Sequence, residues 1–344
     1  MSKHFGQLTD RMNHFREEVL NAKPYVCAER AIYTTESYRK YQDKPVILKR
    51  AYMLKNILEN MTVFIEDDTL LIGNQASANR SAPIFPEYAM DWVIDELDDF
   101  EKRDGDVFYI TEETKQKLID IAPFWKHNTT KERGLSAIPP DSKLFYDLGI
   151  IKAEGNITSG DGHIAVNYGE IMHKGLKSYR NKTEFMMKNL DLTDYKNLKK
   201  FYFYEAILIV IDAVSDFAKR YADLADEMSK KEQNNKRAYE LREISRIMNK
   251  VPYEPAGSFY EAIQSMWFVH LVLQIESNGH SVSYGRMDQY LYPYYKKDIE
   301  DGFITENSAC ELLTNLWIKT MTINKIRSWK SVISKCNNRR ANTG

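Results

Sequence analysis

Cysteine is scarce in this chain. Its three residues, Cys27, Cys310 and Cys336, lie far apart and form no C-x-x-C pair. That spacing excludes a disulfide framework and a paired-thiolate zinc site, and it fits a reducing, cytoplasmic setting. No run reaches the roughly 18 apolar residues of a membrane helix, and Met1 to Arg16 lacks the apolar segment of a secretory signal. No membrane partner is expected. Neither charge is in excess, since 48 Lys and Arg stand against 49 Asp and Glu, which removes the overall footprint of a nucleic-acid binder. P-loop, G-x-G-x-x-G, H-E-x-x-H and G-x-S-x-G signatures are absent, and no fixed spacing recurs as it does in a solenoid.

What remains is an ordinary globular composition, 43% hydrophobic and 28% charged, sufficient for a sizeable core. At 344 residues the chain is either two domains or one large α/β body. Helical periodicity runs from Ala28 to Tyr41 and from Val46 to Glu59, with Ile47, Ala51, Leu54 and Leu58 on one face. Val63-Phe64-Ile65 and Leu70-Leu71-Ile72-Gly73 read as short strands about an acidic turn. Helical spacing returns from Tyr88 to Glu101, and Thr111 caps a further helix ending near His127, itself read as solvent-facing. Residues Thr130 to Gly160 read as extended loop. Phe201 to Met228 is a long helix with a charged end at Ser229 to Arg237, and Leu241, Ile244 and Ile247 mark the next. Ser258-Phe259-Tyr260-Glu261 forms a capping box before a helix from Phe259 to Ile275 that is apolar on nearly every side and therefore buried. His270 within it reads as a hydrogen-bonded core histidine. Glu306 to Ile318 is a last amphipathic helix, beyond which Lys and Arg accumulate and acids cease.

Two stretches hold candidate chemistry. Glu276 to Tyr295 crowds His280, Ser281, Arg286 and Asp288 into a break after the buried helix, the texture of a pocket wall. Gly160 to Gly169 sets His163 between a glycine turn and a short strand, where small residues let backbone approach a ligand. The structural alternative is that both histidines cap turns, that Arg286 and Asp288 form an ion pair, and that Tyr290, Tyr292, Tyr294 and Tyr295 pack.

Several separated strings resemble the glycyl radical enzymes of the pyruvate formate-lyase-like group, closest to the cobalamin-independent glycerol (diol) dehydratase branch. They are Glu29-Arg30-Ala31, Pro45 to Ala51, Leu71-Ile72-Gly73, Gly162-His163 through Tyr168-Gly169, Ser258 to Ala262 and Ile275 to Tyr295. The resemblance implies the fold class: a helix-rich α/β chain forming the N-terminal half of a ten-stranded α/β barrel. It also implies that His163 contacts the substrate hydroxyls and protonates the departing one, and that His280 and Ser281 bind those hydroxyls. Loss of a hydroxyl needs a proton donor within hydrogen-bond reach, and an imidazole titrating near neutrality suits that role. The implied partners are a small polyhydroxy substrate, a radical-activating enzyme that uses S-adenosylmethionine and an iron–sulfur cluster, and a second copy in a homodimer. The implied cofactor is a glycyl radical of the full-length enzyme; this chain itself is expected to bind no cofactor, metal or nucleic acid.

The family runs to more than twice this length, and none of the three cysteines matches its Gly-Cys-x-Glu loop. The expectation is a truncated or frameshifted product: residues 1–327 as the N-terminal portion of the pyruvate formate-lyase domain, 328–344 as an aberrant basic tail, and no activity alone. The alternatives are another glycyl radical activity (formate acetyltransferase, choline trimethylamine-lyase or C–S lyase) or a non-catalytic binding protein that keeps part of the fold.

Overall fold

A computed structural model describes residues 8–151, 159–279 and 281–329. It opens with a helix that the polar N-terminus conceals. In α1 (Asp10–Asn21) the Thr9 hydroxyl accepts from Met12 N, and three apolar side chains, Met12, Phe15 and Val19, suffice to anchor one face. β1 (Val26–Cys27) leads into α2 (Glu29–Lys40) and α3 (Val46–Asn60), both where the periodicity predicts. On α3, Ala51, Leu54 and Leu58 are buried, but Ile47 in the first turn is exposed, against expectation. β2 (Ala82–Pro83) pairs in parallel with β1.

The strands predicted between residues 63 and 73 do not form. Leu70 N and Leu71 N donate to Asn315 Oδ1 at 3.3 and 2.8 Å, while the Gln264 carboxamide brackets Ile72, accepting from its N–H and donating to its carbonyl, both at 2.9 Å. Side-chain amides from two helices replace the strand neighbour, which satisfies buried backbone without a ladder. The helix predicted from Tyr88 to Glu101 shrinks to α4 (Asp91–Asp95) and a 3₁₀ turn at Phe100–Lys102. Glu96 turns inward there, buried against Arg103 Nη2 at 2.8 Å, so a tertiary ion pair overrides local propensity.

α5 (Glu112–Trp125) is capped by Thr111 as predicted. The segment read as loop holds α6 (Thr130–Ser136) and α7 (Pro140–Asp147); neither buries a side chain, so apolar spacing cannot announce them. Pro140 opens its helix instead of breaking one. β3 (His163–Ala165) precedes α8 (Tyr168–Lys188), which bends at Gly175 (φ 67°). α9 (Leu198–Lys231) and α10 (Asn235–Met248) follow, the latter capped by Asn234.

α11 (Phe259–Glu276) is the central element, buried on all sides against α3, α8, α9, α10, α12 (Met287–Glu300) and α13 (Glu306–Thr322). β4 (Ser281–Ser283) lies between α11 and α12. Half of the predicted capping box forms: Ser258 Oγ accepts from Glu261 N at 3.2 Å. The Glu261 carboxylate does not return to Ser258 but takes Gly257 N at 2.6 Å, Arg246 at 2.8 Å and Lys250 at 2.6 Å. Burial alone would raise its pKa, yet Lys250, the Gly257 N–H and Arg246 hold it below the usual range.

Gly73 has φ +125°, and a Cβ there would sit 2.5 Å from Leu271 Cδ2 on α11. Gly73→Ala is therefore expected to lose about 2–4 kcal/mol from backbone strain and overpacking, read as a lower urea midpoint with unchanged slope.

Candidate functional site

A helix ends with unsatisfied carbonyls, and those of α11 are met by three cations. Arg30 Nε donates to Ile275 O at 2.7 Å and its Nη2 to Glu276 O at 3.1 Å, while a bidentate pair at 3.0 and 2.6 Å holds Glu87. The guanidinium lies 3.7 Å over the Phe85 ring. Arg50 pairs with the Glu276 carboxylate and reaches Tyr88 Oη at 3.3 Å. Lys325 Nζ donates to Gln274 O at 2.7 Å. Desolvation, then the Arg30 and Arg327 cations, push the Lys325 pKa well down, with Asp161 opposing. Cations also suit the negative end of the helix dipole.

From this clamped end the chain turns through Ser277-Asn278-Gly279 into β4, which runs parallel to β3 in the register His163–Ser281, Ile164–Val282, Ala165–Ser283. Ser281 N donates to Gly162 O at 3.0 Å, and Arg327 grips Asp161 beside it. Glycine lets the backbone come close at two points of this approach. Gly160 has φ +67° with the Tyr88 ring 2.2 Å from where a Cβ would be, and a Cβ on Gly279 would lie 2.8 Å from Gln274 Oε1.

The ladder brings His163 and Ser281 to paired positions, both exposed. Paired positions share a face of the sheet, so an imidazole and a hydroxyl stand side by side. His280, the third candidate, lies outside the described residues. Ser328 and Trp329 of the basic tail are described, both bonded to Glu96, and the rest of it lies outside. Arg286 and Asp288 pair at 2.9 Å on the surface. Tyr290 and Tyr295 pack, on Tyr168 and Phe259, whereas Tyr292 is 57% exposed, with its ring centroid 6.4 Å from that of Tyr295. His127 is exposed.

Behind the ladder His270 is buried. Its Nδ1 is 2.9 Å from Tyr168 Oη, and Tyr284 stacks on the ring at 4.4 Å. Burial, then the Lys325 cation, pulls its pKa down to about 4, so the imidazole is neutral. Sequence reasoning gave no role to Arg30, Asp161, Lys325 or Arg327. All act through main-chain or long-range partners that periodicity does not encode. Among the described residues no group of three His, Cys, Asp or Glu side chains could hold a metal ion, and no helix is long and apolar enough to cross a membrane.

A family model described as pyruvate formate lyase-like matches residues 7–333. The chain belongs to this family. A protein named "Probable dehydratase YbiW" from Escherichia coli is 42% identical over 323 residues, 93% of this chain and 40% of that one. Isethionate sulfite-lyase of Nitratidesulfovibrio vulgaris is 36% identical over 320 residues, 90% of this chain and 38% of the relative. The glycerol-bound B12-independent glycerol dehydratase from Clostridium butyricum superposes with a TM-score of 0.92 at 40% identity, over 96% of this chain and 42% of that structure. These relatives are dehydratases and lyases of the glycyl radical group, and the chain spans about two fifths of their length. Its fold is the helix-rich N-terminal half of the pyruvate formate lyase-type α/β barrel.

Two outcomes follow for the buried layer. Arg30→Ala leaves Glu87 unpaired in the interior and is expected to lose about 3–5 kcal/mol, while exposed Arg286→Ala changes stability by less than about 0.5 kcal/mol; denaturant titration of both variants separates them. For His270 the folded pKa of about 4 lies below the ordinary 6.5, so between those values the unfolded chain binds a proton that the folded chain refuses. Stability therefore falls as pH drops through this window and is fully present above it. His270→Asn should flatten that fall, measured as urea midpoints at about pH 7 and about pH 4.5.

Proposed function

We propose that this chain provides the hydroxyl-binding face of a glycyl radical dehydratase acting on glycerol or a related small diol. His163 acts as proton donor to the departing hydroxyl, and Ser281, with His280, holds the hydroxyls. The register that sets His163 beside Ser281 at the end of the clamped helix is the observation that carries this reading. Departure of a hydroxyl as water needs a proton at its oxygen, which imidazole delivers near neutral pH. The serine hydroxyl both donates and accepts, as two neighbouring substrate hydroxyls require.

The hydrogen-abstracting thiyl radical is supplied in this family by a glycyl radical, itself made by an S-adenosylmethionine and iron–sulfur activase. The residues before Cys27, Cys310 and Cys336 are Val26, Ala309 and Lys335, so no Gly-Cys-x-Glu is present. On this reading the chain alone binds substrate and does not turn it over. A C–S-cleaving function is the second reading, favoured by the 36% identity to isethionate sulfite-lyase.

Titrating the ¹⁵N-labelled chain with glycerol should shift the Ser281 amide saturably, with a Kd on the order of 1 mM. Ser281→Ala should weaken binding about tenfold, the worth of one hydrogen bond. A ladder that ignores glycerol but responds to isethionate at lower concentration supports the second reading; a ladder that ignores both overturns the first and the second alike.

A further inference from the structure

Beneath β4 three buried side chains stand in line: Tyr168 Oη 2.9 Å from His270 Nδ1, and His270 Nε2 3.3 Å from Gln274 Nε2. The amide nitrogen of Gln274 faces the ring nitrogen, while Gln274 Oε1 is buried with no donor. Four residues on, past the helix end, Asn278 Oδ1 is also buried with no donor, and Asn278 is 4% exposed. A buried acceptor left without a donor is expensive. The two carboxamide ends of glutamine are nearly isosteric, so a half-turn about its last bond exchanges oxygen and nitrogen without moving the chain.

We propose that the Gln274 carboxamide has its carbonyl toward His270, accepting from Nε2–H, and its NH₂ toward the Asn278-Gly279 turn. The rotation gives the buried Gln274 oxygen a donor and turns the NH₂ toward Gly279, whose Cβ position lies 2.8 Å from that end of the carboxamide. It also places the protons. His270 is the Nε2–H tautomer, and Tyr168, whose pKa burial raises, stays protonated and donates to Nδ1. The carboxamide end packs against Gly279, two residues before Ser281. Gln274 is thus a positioning residue for the hydroxyl-binding ladder. This role rests on the diol reading above, whereas the tautomer does not.

Histidine ring ¹H–¹⁵N correlation on the labelled full chain reads the tautomer directly. His270 is expected as pure Nε2–H at neutral pH; pure Nδ1–H, or an even mixture, overturns the assignment. Tyr168→Phe should keep Nε2–H, and Tyr168→Phe combined with Gln274→Leu should release it to a mixture. A Tyr168→Phe/Gln274→Leu double variant that stays pure Nε2–H shows that the carbonyl is not the acceptor and overturns it as well. In glycerol titrations Gln274→Leu should weaken the Ser281 response about three- to tenfold; an unchanged response overturns the positioning role. Wild-type chain that ignores glycerol counts against the diol reading alone, and the tautomer still decides the assignment.

Discussion

The guanidinium of Arg30 fixes where α11 ends. It caps two terminal carbonyls, pairs bidentately with Glu87 and lies flat on Phe85, all out of water. A rigid fork with five donors suits this task as no lysine would. Because α11 is packed on every side, stopping it at one point sets where the following turn begins, and hence the register of β4 against β3. The site is placed by the core beneath it.

Much of the helical frame was legible. Periods of 3.6 in α2, α3, α9, α10 and α13 reflect large buried faces, the all-apolar run of α11 marks a helix buried all round, and Thr111 and Ser258 cap where polar residues precede apolar runs. The failures come from contacts that local spacing does not encode, or from elements with no buried face. Residues 70–72 have strand composition but find carboxamides instead of a strand. Glu96 leaves a helical pattern to meet Arg103. α6 and α7 bury nothing, so no pattern exists to read.

For the site, local sequence marked His163 and Ser281 by their glycine-rich surroundings, and only the fold shows them paired. Tyr292 shows the opposite limit: an apolar-looking tyrosine run contains one ring that faces solvent. The charge network of Arg30, Arg50, Lys325 and Arg327 joins segments nearly three hundred residues apart, and a net charge of only −1 over the whole chain hides it.

The carboxamides of Gln264 and Asn315 have a further effect. Extended backbone in an apolar setting ordinarily recruits another strand, since open N–H and C=O groups template sheet growth. At residues 70–72 those groups are already engaged by side chains. A segment rich in leucine and isoleucine is thereby closed to intermolecular pairing, and two buried polar residues act as a guard against aggregation.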